Sequence, residues 1–306
     1  LYSSYKKAGG VIVALPTATL GDIAQRQTTA LAEHTHAANY TATAPLTYAL
    51  QAAQTAATHD WIRTTGGLHT PPTPAQAKAL AACTRARVTA AMTGQAAHAQ
   101  RIATAAAHTA GQLGTQQATA FARHAGFTAP AAEAPPLADD VTVGIDQLPH
   151  GIKQDHDAAI AMLTAATLTA LGLAAITAAV NRAKRAAGRI RATIGWSVTQ
   201  QVAAGVTAVA RAIGRVLAGD GVMVMWVAEP GACPACQGYA GHSVKPGRLF
   251  PGGLSTDPAK VSYPGAINGP PRHINCRCTT IPWHPDWQDP TQPPMASVLQ
   301  DRATRP

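Results

Sequence analysis

Large side chains are what this sequence has least of. Its 306 residues include 3 Phe, 5 Trp and 6 Tyr, so aromatics make 5% of the chain, and charged residues make 13% against about 25% in an ordinary soluble domain. The low charge excludes an acidic or Lys/Glu-rich disordered chain. Hydrophobic residues reach 46%, but 68 residues are Ala, and burying a methyl group removes little apolar area from water. One wide, close-packed core is therefore disfavoured. Ala is the strongest helix former, so narrow packed helices are the economical use of this composition, and the length allows about two domains.

Several chemistry-bearing motifs are also missing. No P-loop, dinucleotide fingerprint, Gly-x-Ser-x-Gly or His-Glu-x-x-His occurs, which removes the enzyme classes that those motifs mark. The apolar run Val11–Leu15, after Lys6-Lys7 and before Pro16, is too short for the h-region of a secretory signal.

Net charge is +9, unevenly spread. Residues 1–130 carry nine Lys/Arg and three Asp/Glu, 131–157 one and six, 158–219 seven and none, and 220–306 seven and six. Two basic stretches thus flank an acidic one. Leu20, Ile23, Gln27, Leu31 and His34 recur at helical spacing, which predicts one or two helices over 17–60 with Pro45 as a break or a helix start. Thr73-Pro74-Ala75-Gln76 reads as a capping box that opens a long Ala-rich helix, interrupted at Gly111 and Gly114 and ending near Gly126. Residues 131–157, with Pro135, Pro136, Pro149 and six acids, read as a linker.

Residues 158–180 hold no charge and are followed by Arg182, Lys184, Arg185, Arg189 and Arg191. Length and flank suit a membrane span, but ten of these 23 residues are Ala and only eight are Leu, Ile, Val or Met, so a buried bundle helix is the expectation. A second helix over about 193–217 would complete a helical pair across 158–218. Beyond Gly221, Val222–Val227 reads as a strand, and dense Gly and Pro predict short strands and loops to residue 290, followed by a tail at 291–306. Trp283 and Trp287 are expected to cap this small region.

Four of the five cysteines lie there, as Cys233-Pro234-Ala235-Cys236 and His273-Ile274-Asn275-Cys276-Arg277-Cys278. Cys-x-x-Cys presents two thiolates to one ion, and a second His/Cys cluster completes a tetrahedron. Bound zinc or another thiolate metal, a structural disulfide and reduced core thiols are the three states this pattern allows. The ligand set stays open among Cys233, Cys236, His273, Cys276 and Cys278, with His242 nearby. A structural zinc is expected, since four thiolates leave no open position for water. Cys83, alone on an Ala-rich helix, reads as a buried small hydrophobe.

Trp226, Cys233-Pro234-Ala235-Cys236, Gly241 and Pro270-Pro271-Arg272-His273-Ile274-Asn275-Cys276-Arg277-Cys278-Thr279 resemble the signature of the phage Mu protein F-like minor head proteins, also called head morphogenesis proteins. The resemblance covers about 155–285 and leaves 1–130 unassigned. Members commonly carry an Arg-Thr-Glu triplet on the preceding helix, where this chain reads Arg191-Ala192-Thr193, so no role of that Glu carries over. The resemblance implies a non-catalytic protein of the virion interior or host cytoplasm. It would work in procapsid assembly at the portal vertex, with portal and capsid proteins as partners and a possible part in DNA packaging or delivery.

Two rival functions fit parts of the same sequence. A metal-dependent, HNH-like nuclease could draw on His273, Asn275, His284 and Asp286, and a membrane-anchored mobile-element protein on 158–180. A zinc deaminase is excluded by the lack of His-x-Glu. Arg182, Arg185 and Arg189, at i, i+3 and i+7, form a basic stripe suited to phosphate, to an acidic partner surface or to plain solvation. The fold expected is mainly α, with a small C-terminal α+β module stapled by its cysteines.

Overall fold

The computed structural model describes residues 6–7, 10–11, 17–216, 221–229, 231–257, 265–273, 276, 278–285 and 287. Within them the chain is mainly helical with a small antiparallel sheet near its C-terminal end, as composition predicts. Asn275, Asp286, most of the Val11–Leu15 run, Pro16 and the 291–306 tail lie outside the described residues.

The element order begins with a short pair, β1 (Lys6–Lys7) and β2 (Gly10–Val11). Helices follow: α1 (Thr17–Thr65), α2 (Pro74–Met92), α3 (Gln95–His124), α4 (Asp139–Asp146), α5 (Leu148–Met162), α6 (Ala165–Leu171) and α7 (Leu173–Val216). The last part holds β3 (Met223–Val227), the single turn α8 (Pro234–Gln237), β4 (Ser243–Val244) and β5 (Thr279–Trp283). The three strands form one sheet in the order β4-β3-β5.

Local chemistry accounts for the long helices. α1 runs through Pro45 without a break, although proline removes one ladder donor. Thr41, Thr43 and Thr47 around it each donate a hydroxyl to the carbonyl four residues back, so Thr is satisfied within its own helix. The predicted capping box is formed: Thr73 accepts from Gln76 N–H, and the Gln76 side chain accepts from Thr73 N–H. The break in the Ala-rich stretch falls at Thr93-Gly94 rather than at Gly111 or Gly114, which are both inside α3.

The chain divides into two compact units that are discontinuous in sequence. One comprises 1–35, 106–141 and 195–306, and the other 36–105 and 142–194. These units do not follow the boundaries at 130 and 157 expected from composition. The segment read as a linker is largely helical, as α4 and α5, because its acids serve local purposes: Asp139 and Asp140 lie in the first turn of α4, where the helix dipole favours them. Ahead of α4, the fully buried Gln201 amide donates to the Pro136 carbonyl at 2.8 Å and accepts from Ala138 N–H. Composition registered proline and acid but not these fixed partners.

In the first unit, α3 and α7 cross backbone against backbone. A Cβ on Gly114 would overlap the Val202 carbonyl, and one on Gly205 would come within 2.5 Å of the Gly111 carbonyl oxygen. The glycines that read as interruptions are thus the notch that lets two helices touch without side chains between them. Buried Phe121, Val206, Val209 and Ile213 from these helices share one apolar cluster with Met225, Trp226, Phe250 and Ile281 of the sheet region.

In the second unit, α2 packs on α5 and α6, around Leu46, Leu50, Trp61, Leu80, Val88, Leu148, Ile152, Leu163, Leu168 and Ile176. The stretch 158–180 is not the single bundle helix expected. It is the end of α5, all of α6 and the start of α7, because Thr164 caps α6 with a second capping box and Gly172 ends it. The helical pair expected over 158–218 is likewise mostly one helix, α7. Among the described residues no single helix is long and apolar enough to cross a membrane; α6 and α7 together pass that test but are bent by 118°.

Candidate metal centre

The register of the sheet brings the two cysteine segments together. β3 pairs antiparallel with β5 from Met223↔Trp283 to Val227↔Thr279. The residue before β5, Cys278, therefore lies beside the end of β3, where the chain leaves toward Cys233. The Cys-x-x-Cys turn starts with Cys233 in extended conformation and Pro234 at the first helical position, where a missing N–H costs nothing. Its carbonyls are held: Gln237 N–H donates to Cys233, and Thr256 N–H to Pro234, at 2.9 and 3.0 Å. The second segment turns back at its start, with Cys276 N–H donating to the His273 carbonyl at 3.1 Å.

Cys236, Cys276 and Cys278 share one apolar cluster with three aromatic rings. The Trp226 ring stacks on Tyr239 at 4.8 Å and meets Phe250 edge-on at 5.4 Å. All three side chains are fully buried. The Tyr239 hydroxyl donates to the Pro251 carbonyl at 2.6 Å, and burial raises the phenol's pKa. Buried Arg272 lays its guanidinium over the same ring, 5.3 Å from the centroid, a cation–π contact.

Five donor groups fall into two overlapping sets beside these rings. His273 Nε2 is 3.1 Å from Cys233 Sγ and 3.2 Å from Cys236 Sγ, and Cys236 Sγ is 3.6 Å from Cys276 Sγ. Cys233, Cys236 and His273 form one group that could hold a metal ion, and Cys236, Cys276 and Cys278 form another, each with donor atoms within 4.8 Å of one another. Cys236 belongs to both. For a tetrahedral ion about 2.3 Å from sulfur, thiolates lie about 3.8 Å apart, and the 3.6 Å between Cys236 and Cys276 matches that spacing.

Among the three inner sulfurs the surroundings favour one thiolate, at Cys276, and push Cys278 up. Hydrogen bonds from Cys236 and Cys278 lower the Cys276 pKa to about 3, with backbone N–H groups of Arg272 and Cys278 adding to the effect. The same cluster pushes Cys236 up, through its bonds to Cys276 and Cys278. One negative charge shared among close sulfurs is what a cation would complete, by replacing the remaining protons. All five cysteines are free thiols, with no disulfide.

The other expected residues fall elsewhere. His242 belongs to neither donor group; its carbonyl accepts from Trp226 N–H, and burial lowers the pKa of its ring. His284 packs near Trp287, 6.3 Å between rings. Trp287 in turn lies 5.1 Å from Phe127 and 6.3 Å from Phe121, so it does seal the apolar cluster. Cys83 is exposed rather than buried, and its thiol donates to Asp60; Ala-rich helices leave many faces open, and helix periodicity alone did not show which.

The basic stripe is largely consumed internally. Arg182 and Arg189 both face the carboxylate of Asp155, at 3.4 and 3.2 Å, and Asp155 is 1% exposed. Only Arg185 of the three is exposed and without such a pair among the described residues. The sequence carried a hint, since the acid-free stretch and the acid-rich one had to meet somewhere, but not which carboxylate would be buried. Comparison with protein-family models, with curated proteins and with solved structures found no match to the chain.

Proposed function

We propose that this chain is a phage or prophage minor head protein of the head morphogenesis type, acting by binding and not by catalysis. One observation carries the reading. The two motif halves on which the resemblance rests, 37 residues apart between Cys236 and His273, meet at Cys236, which two three-donor groups share, as a module stapled by a metal requires. Zinc is the ion this donor set prefers, because soft thiolates with one imidazole select it in tetrahedral sites. With four of five donors being Cys, the coordination sphere fills from the protein, which suits a structural role. The ion would hold together a small domain that has few large apolar residues.

In this reading the partners are portal and capsid proteins, and the setting is the virion interior or the host cytoplasm. Co-expression of the chain with the portal and major capsid proteins encoded beside it tests the assignment. Sedimentation of the chain with procapsids is expected. Procapsids that assemble normally and exclude it would overturn the reading, as would plasmid cleavage in magnesium or zinc that His273→Ala abolishes.

A further inference from the structure

A second group of exposed positive charge lies away from the stripe that the sequence suggested. Lys245-Pro246-Gly247-Arg248 is a tight turn after β4. Arg248 N–H donates to the Lys245 carbonyl at 2.9 Å, and Gly247 takes φ +87°, the pattern of a type II turn with Pro second and Gly third. The turn lies against α7, since a Cβ on Gly247 would overlap the Arg211 guanidinium. Glycine is required here twice, for its dihedral angle and for the arginine laid over it. Arg215 follows Arg211 by one helical turn on the same face.

These four side chains are exposed, and among the described residues no carboxylate pairs with any of them. Like charges gathered this way repel one another, and an anion would relieve that repulsion. The nature of the anion follows from what flanks them. Val216 and Leu249 are the neighbouring exposed apolar residues, and the strongly exposed aromatics, Tyr40 and Tyr48, belong to the other unit. The hot spots of protein interfaces are rich in Trp and Tyr and poor in Leu and Val, and a single strand would need rings for its bases to stack on. A phosphate backbone needs only the charges.

We infer that Arg211, Arg215, Lys245 and Arg248 form a docking surface for the phosphate backbone of a nucleic-acid duplex, bound without regard to base sequence. Phosphate contacts position a duplex and carry no sequence information. The inference goes beyond the head-protein reading and does not depend on it, because it uses neither the metal donors nor any capsid partner.

Fluorescence anisotropy of the full chain tests it, with a labelled DNA duplex of about 20 base pairs, an RNA duplex of the same sequence and labelled polyglutamate as probes. Four contacts predict that log K falls with log salt at a slope of about −3.6, a loss on the order of a hundredfold between 50 and 200 mM salt. Arg211→Ala with Arg215→Ala, and separately Lys245→Ala with Arg248→Ala, should each reduce that slope by about 1.8, while Arg185→Ala leaves it unchanged. The turn pair tests the surface even if the helix pair perturbs folding, and unchanged melting and metal content establish that each variant is folded. Binding to both duplexes, or to one of them, supports the surface and identifies its source. A salt-independent parent, turn variants that bind as the parent does, or capture of polyglutamate in place of the duplexes would overturn it.

Discussion

The carboxylate of Asp155, 1% exposed, lies 3.2 Å from the Nε of Arg189. That contact, repeated by Arg182 on the other oxygen at 3.4 Å, ties α5 to α7 within one unit. A buried charge is costly unless paired, and removing one partner strands the others. Because both arginines keep partial access to water, with 29% and 44% of their side chains exposed, the penalty is smaller than for a fully buried triad.

Asp155→Ala is therefore expected to lower stability by about 2 kcal/mol, with Asp155→Asn costing less because it keeps the volume and an acceptor. Urea unfolding followed by circular dichroism measures both. A midpoint unchanged in Asp155→Ala would show that the two arginines are satisfied by water alone.

Metal content gives a second prediction. The purified chain should carry one zinc ion, released by chelator or by acid as the ligands take up protons. Cys236→Ser should abolish binding because Cys236 belongs to both donor groups, whereas Cys83→Ser should leave the content intact. Elemental analysis decides, and a metal-free wild type whose thiol reactivity is unaltered by chelator would refute the site.

The helix crossing makes a third. Gly205→Ala puts a methyl group 2.5 Å from the Gly111 carbonyl oxygen, where backbone must move to admit it. A loss of about 2 kcal/mol or more is expected, against the slight gain that Ala gives over Gly inside an exposed helix. Gly214→Ala, with nothing within 4 Å of the added group, supplies that contrast in the same thermal melts.

Acid sensitivity gives a fourth. Asp60 pairs with Arg87 and Arg63, and the hydrogen bond from Arg87 is the main cause holding its carboxyl below the usual range. A depressed carboxylate stabilises the fold above its unfolded pKa of about 4, and that contribution fades as pH falls through the lower folded value. Stability measured from pH 7 to pH 2 should thus fall less steeply in Asp60→Asn than in the parent. Parallel curves would rule the pair out as a contributor.

The sequence made much of this legible. The Thr73 to Gln76 box, the strand at Met223–Val227 and the two cysteine segments are short-range patterns, and each depends on neighbours within a few residues. The misreadings share one cause. Gly111 and Gly114 read as helix breakers because local propensity counts glycine against a helix, whereas their value lies in Val202 and Gly205, about 90 residues on. Residues 131–157 read as a linker because proline and acid mark loops on average, whereas Gln201 and the arginines of α7 fix that segment.

The scarcity of large side chains has its explanation at the same two levels. Sequence by itself determined that helices would be narrow and Ala-rich, that bulk would be short, and that four cysteines with one histidine could complete a metal site, since propensity and donor chemistry belong to residue types. Tertiary structure alone decided where α3 and α7 touch, which arginines Asp155 neutralises and which cations gather at the Lys245–Arg248 turn. Those outcomes depend on pairings between residues far apart in the chain, where burial makes every unmatched charge or misplaced methyl group costly.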